Sequence, residues 1–364
     1  MSDALLGRPL DAAVYATGAI PGTGGTIRQR VEDFIVEELP LYDPCGEGEH
    51  LYLFIEKREM DTPELVDVLT EHFGVRRSAV GVAGRKDRRA VTRQLASVHL
   101  PGKHDDDFGA IRDERIAVLW TDRHTNKLRT GHLTGNRFNI RIRGVEMSSA
   151  VRAGNVLREL AACGVPNLFG PQRFGAQADN HRVGRDLLLG SLKRRMPSEK
   201  RRFYLNAMQS AVFNGVLLHR LESGTWHGPV AGDLAMVHES GAVFAVEGVD
   251  DALRARAEAF DISPTGPMWG GSMTRAAGEV GELERSMLIE AGLTEGDFSS
   301  SKHGDLIPGV RRPLRVRLDD PDVEGGIDDH GGYVRVAFDL PAGAYATAVL
   351  REIMKTEGSP ERTA

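Results

Sequence analysis

Apolar and polar residues alternate with a period of two over several short stretches of this chain, and with a helical period over others. Leu51, Leu53 and Ile55 alternate with Tyr52, Phe54 and Glu56, which predicts a strand with one strongly buried face. Phe138, Ile140 and Ile142 face away from Asn139, Arg141 and Arg143 in the same manner, and Val334, Val336 and Phe338 repeat the pattern. Shorter strands are predicted at Val80 and Val82, and over 96–100, 116–120, 234–237, 243–246 and 315–318; from Ile27 into 31–38 the chain reads as extended. Thr62-Pro63-Glu64 opens a helix, with a hydroxyl cap, proline at the first helical position and an acid in the first turn. Leu65, Val68 and Leu69 are its apolar stripe, and Gly74 ends it. Further helices are predicted over 150–163, closed by Gly164, and over 344–354. The clearest spans 203–221, with Met208, Val212 and Val216 on one stripe and Phe213, Leu217 and Leu221 beside it.

Between these elements the chain is less regular. Residues 21–25 are Gly-rich but lack the GxGxxG spacing and read as a turn. Residues 165–175, dense in Gly, Pro and aromatics, read as a domain boundary or shaped loop. The 225–310 stretch is irregular, and the acidic, Gly-rich 319–332 reads as an exposed loop or hairpin.

Composition narrows the function classes. With 364 residues, 41% apolar and 27% charged, the chain is an ordinary globular sequence long enough for two domains. It has no signal-peptide stretch and no membrane-length apolar run. Cys45 and Cys163 stand in no metal-ligand or disulfide pattern, so the cytoplasm is the expected setting. The net charge of -6 argues against a polyanion partner, but its distribution argues for one. Residues 76–143 carry a local +9 and 182–202 a local +6, while acid collects in 239–305 and 319–329.

Residues 84–94, Gly-Arg-Lys-Asp-Arg-Arg-Ala-Val-Thr-Arg-Gln, place one carboxylate, Asp87, among Arg85, Lys86, Arg88, Arg89 and Arg93. Cations that close should keep it ionised, as a nucleophile or base, and arginines suit phosphate. The plainer alternative is a solvated loop with weak surface ion pairs. Phe138 likewise has two readings, a core aromatic or a ring for base stacking.

Companion stretches decide between them. The 84–94 run, Gly135-Asn136-Arg137-Phe138, Val165-Pro166-Asn167-Leu168-Phe169-Gly170-Pro171-Gln172-Arg173-Phe174-Gly175, Ser210-Ala211-Val212-Phe213-Asn214, Leu340-Pro341-Ala342-Gly343-Ala344-Tyr345-Ala346-Thr347 and Glu32-Asp33-Phe34-Ile35-Val36-Glu37-Glu38 together resemble the tRNA pseudouridine synthase D (TruD) family. They follow the family's order over nearly the whole chain.

The resemblance implies an α+β fold: a pseudouridine synthase catalytic domain with a mixed, largely antiparallel sheet (1–163 and 313–364), interrupted by a family-specific α/β insertion domain (164–312). It implies isomerisation of a specific uridine in tRNA, position 13 of the D arm, to pseudouridine, without cofactor or metal. Asp87 matches the catalytic aspartate. Phe138 matches the aromatic that stacks on the target base, Asn136 its polar neighbour, and Phe34 and Tyr345 substrate-contacting rings. Some relatives carry Phe at the position of Tyr345. Lys86 and Arg28 match basic positions near the site. Val31 stands where proline often precedes Glu-Asp-Phe. The expected partner is tRNA, with no membrane and no obligate protein partner, the chain acting as a monomer. The competing readings are a non-catalytic tRNA-binding or chaperone protein on the same fold, and an Asp-dependent phosphate-ester enzyme, which lacks a second carboxylate or His cluster.

Overall fold

In the computed structural model the described residues are 14–104, 107–175, 177–192, 195–301 and 303–356, residue 300 by its backbone alone. The N-terminal stretch free of signal-peptide character and two residues of the second basic segment, 193 and 194, lie outside them. The chain divides into two compact units. One comprises Gly22–Leu157 and Leu318–Ala346; the other comprises Arg158–Arg317 with the described parts of Met1–Pro21 and Thr347–Ser359. The fold is mixed α and β.

The first unit is built on an eight-stranded sheet. Its strands are β1 (Phe34–Pro40), β2 (His50–Arg58), β3 (Val80–Val82), β4 (Val91–His99), β5 (Ile116–His124), β6 (Leu133–Arg143), β13 (Asp319–Asp328) and β14 (Gly331–Pro341). They lie in the order β13-β14-β6-β1-β4-β2-β5, with β3 paired to β4. Only β1 and β4 run parallel. The predicted hairpin over 319–332 is β13–β14, and its acidic strand lies at a sheet edge, where charge discourages pairing with another chain. Gly135 permits β6 to approach β14 closely, since a Cβ there would stand 2.2 Å from the Leu340 carbonyl oxygen.

Register fixes which side chains share a face, because directly opposed residues point the same way. Val36 opposes Phe138 and Thr92, and Thr92 opposes Lys57. Phe34, Glu38, Asn136, Gln94, Ile55 and Phe338 therefore lie on that same face. Helix Thr62–Phe73 packs there, Leu65 and Leu69 joining Leu53, Ile55 and Val98 in one core. The cap of this helix differs from the expectation. Asp61 accepts from the Glu64 amide at 2.9 Å, and Thr62 is the first helical residue. An aspartate side chain caps as well as a hydroxyl, which leaves the Thr62 hydroxyl for another use. Gly74, at φ 61, closes the helix as predicted.

The second unit holds a four-stranded sheet in the order β11 (Val310–Pro313), β10 (Ile262–Met268), β8 (Leu234–Val237), β9 (Val243–Ala245), and a short pair, β7 (Val165–Pro166) with β12 (Arg315–Val316). Strand β10 carries Pro264 and Pro267 within Ser-Pro-Thr-Gly-Pro, and so reads as a loop in the sequence. Helix Ser198–Glu222 separates two cores. Met208, Val212 and Val216 enter one with Trp269 and Leu288, and Phe213, Leu217 and Leu221 enter the other with Phe169 and Trp226. Its two adjacent apolar stripes thus serve two packing partners. Asn214 joins this helix to the 165–175 loop, exchanging hydrogen bonds of 2.9 Å with the backbone of Phe169 in both directions.

Candidate active site

Asp87 sits on the loop between β3 and β4, half exposed at 51% of its side chain. The cation that holds it is Arg28, whose Nη2 lies 2.9 Å from Asp87 Oδ2. Arg28 has φ 59, in the left-handed region that non-glycine residues rarely occupy, at a cost on the order of 1 kcal/mol. Its guanidinium also lies 4.1 Å from the Phe34 ring centroid, a cation–π contact. One side chain therefore joins the carboxylate to an aromatic floor.

The arginines that neighbour Asp87 in sequence serve elsewhere. Arg93 is on the opposite face of the sheet, bonded to Glu37 at 2.9 Å and Glu56 at 3.0 Å. Arg88 stands 3.9 Å from Glu64, and Arg85 and Arg89 are exposed. Alternation along β4 turns Arg93 away from Thr92 and Gln94, and this removes it from Asp87.

Phe34 continues into an aromatic row. Its ring meets Phe138 edge-on at 6.5 Å, and Phe138 lies 5.7 Å from Phe338 across the β6–β14 pair. Both Phe34 and Phe138 are buried, Phe138 at 7% exposure. Asn136 is two residues before Phe138, on the same face, and its Oδ1 is buried with no hydrogen-bond partner among the described residues. Tyr345 lies beyond β14, between the turn after Pro341 and helix Ala346–Met354, and is 37% exposed. The structure thus links Asp87, Arg28, Phe34 and Phe138 by direct contacts, and places Asn136 on their face.

Lys86 points inward, away from solvent. Its ammonium is 2.6 Å from Glu38 Oε2, and Glu38 Oε1 accepts from the Leu95 amide at 3.2 Å. The Lys86 amide donates to the Thr62 hydroxyl at 2.8 Å, which in turn meets Gln94 at 3.3 Å. The residue before Asp87 is thereby tied to β1, β4 and the first turn of a helix. A buried, geometrically specific ion pair of this kind is costly to break. Lys57, fully buried beneath this loop, bonds the Met60 carbonyl. Burial lowers its ammonium to about 8, Asp61 opposing that shift and Lys86 adding to it.

Glu38, Thr62, Gln94 and Lys57 escaped the sequence reading. A signal was present for Glu38: with Phe34 and Val36 it falls on the inward phase of β1, and a carboxylate there requires a buried partner. Nothing local marks Lys86 as that partner. Among the described residues no group of three or more His, Cys, Asp or Glu is arranged to hold a metal, and no helix is long and apolar enough to cross a membrane.

Comparison with known proteins identifies the family. The family model for tRNA pseudouridine synthase D (TruD) matches residues 9–195 and 192–353. The chain is 40% identical over 404 residues to the tRNA pseudouridine synthase D of Geobacter metallireducens, spanning 94% of this chain and 97% of that protein. It is 41% identical over 344 residues to that of Thermus thermophilus, spanning 94% and 92%. A solved structure, the putative tRNA pseudouridine synthase D from Methanosarcina mazei, superposes with a TM-score of 0.81 at 26% identity and 97% coverage of both chains. The chain belongs to the tRNA pseudouridine synthase D (TruD) family.

Proposed function

We propose that the chain isomerises a uridine of tRNA to pseudouridine at the Asp87–Arg28–Phe34 cluster, with position 13 of the D arm as the target. The observation that carries the reading is Arg28, which holds the Asp87 carboxylate while stacking on the Phe34 ring. In the reaction the N1–C1′ bond breaks, the C5–C1′ bond forms and a proton passes from C5 to N1, so the sum consumes nothing. Asp87 acts at the sugar, by attack on C1′ or by removing a proton. The uridine must leave its stack for its sugar to reach Asp87 on the loop and its base the rings beside Arg28. Phe34, Phe138 and Tyr345 supply aromatic surface for the extruded base, and the Asn136 amide a hydrogen-bonding group for its edge. Lys86, with its ammonium on Glu38, positions the Asp87 loop.

The catalytic domain in this reading is 1–163 with 313–364, and 164–312 is the insertion; two compact units drawn from separated segments support an interrupted architecture, with the described parts of 1–21 and 347–359 grouped with 158–317. The enzyme works as a monomer in the cytoplasm, where its tRNA substrate is.

Asp87→Asn tests the assignment, since it keeps shape and removes charge. Pseudouridine formation on unmodified tRNA should fall by at least about 10³-fold, in the range for loss of a reacting side chain. Affinity for the tRNA should stay within a few-fold. Turnover retained in this variant would remove Asp87 from its role.

A further inference from the structure

The stretch from Asp122 to Arg129, with no part in the chemistry above, walls a separate cavity of about 440 Å³ in the first unit. Its lining is Tyr42, Asp43, His124, Asn126, Lys127, Arg129 and His132. The size falls in the usual range of small-ligand sites. The walls are built from linked groups. The Tyr42 ring stacks on His124 at 5.2 Å, and its hydroxyl meets His132 Nδ1 at 2.7 Å. The hydroxyl also approaches that of Tyr52 at 3.3 Å, and Tyr52 donates to the Asn126 carbonyl at 3.0 Å. Lys127 spends one ammonium proton on the Ser78 carbonyl at 2.5 Å, leaving two others. Arg129 is exposed and makes no ion pair among the described residues. The Gly131 amide donates to the Ala83 carbonyl at 2.9 Å, so the wall is fastened to the base of the loop that carries Asp87.

We propose that this cavity is a second RNA subsite, taking one nucleotide of the substrate other than the target uridine. Lys127 and Arg129 meet its phosphate, and the Tyr42–His124 stack offers aromatic surface to its base. Cation and aromatic group side by side are what single-stranded nucleotides bind, because every base has a ring face and every linkage a charge. Asp43 opposes a phosphate beside it and accepts from an amino or imino group, which orients the base toward that end. The proposal rests on the tRNA reading. It gives the +9 basic segment a specific place to act next to the catalytic loop.

The test uses the full-length protein and an unmodified, fluorescently labelled tRNA transcript, with affinity measured across a series of salt concentrations. Lys127→Ala/Arg129→Ala should weaken binding at least about tenfold at low salt and flatten the dependence of log affinity on log salt by about 1 to 2. The charge-retaining swap Lys127→Arg/Arg129→Lys should restore most of both, and a melting curve checks that each variant is folded. Wild-type affinity and slope in the alanine double variant would overturn the subsite while leaving the catalytic reading intact. The same holds if the swap binds as weakly as the alanine variant while remaining folded. A wild-type protein that forms no pseudouridine would instead overturn the reading on which the subsite rests.

Discussion

The two faces of the sheet in the first unit use nearly the same residue types and differ in what they do with them. On one face Arg93 lies between Glu37 and Glu56, with 38% of its side chain exposed. On the other, Glu38 and Lys86 form their pair at 0% and 5% exposure, with Lys57 and Gln94 buried nearby. Residues 37 and 38 are adjacent in sequence, yet one meets water and the other the interior. Water screens the first set and makes it dispensable. Loss of water makes the second set rigid, costly to disturb and able to hold the loop that presents Asp87.

The largest effect should come from Glu38→Gln, which leaves the Lys86 ammonium buried without its anion. Breaking such a pair costs about 3–5 kcal/mol, measured by denaturant unfolding, and turnover should fall with it as the loop loses its anchor. Stability near wild type would mean that the interior pair is no more important than a surface one.

Lys57 comes next, through pH. Its folded-state value of about 8 is below the ordinary 10.5, so between these values the unfolded chain holds more proton than the folded one. Stability therefore rises with pH through that window, and the cost of the buried ammonium is felt in full below it. Lys57→Met lacks this contribution. The stability of wild type relative to the variant should improve from pH 8 to 10.5 by up to about 3 kcal/mol. A difference that stays flat across the window would show that Lys57 does not titrate as its burial requires.

Arg93→Ala should have the smallest effect, within about 1 kcal/mol, since its partners can turn to water. A loss as large as that of Glu38→Gln would erase the distinction between the faces.

The sequence by itself determined the strands with strict alternation, the helix signals at Pro63 and Gly74, the two stripes of helix Ser198–Glu222 and, through ordered motifs, the family. Those features are local or linear: a period of two or 3.6, a cap, a string of residues in order. The proline-bearing β10 was hidden because its composition is that of a turn, while its strand state depends on partners on both sides, β8 and β11. The Asp87 loop shows the division most clearly. The sequence placed a carboxylate among arginines; the tertiary structure chose Arg28, 59 residues away, as the cation that touches it, and sent Arg93 to the far face. Alternation decides which side of a strand a residue takes, but only the pairing of β1, β4 and β6 decides whose company that side keeps.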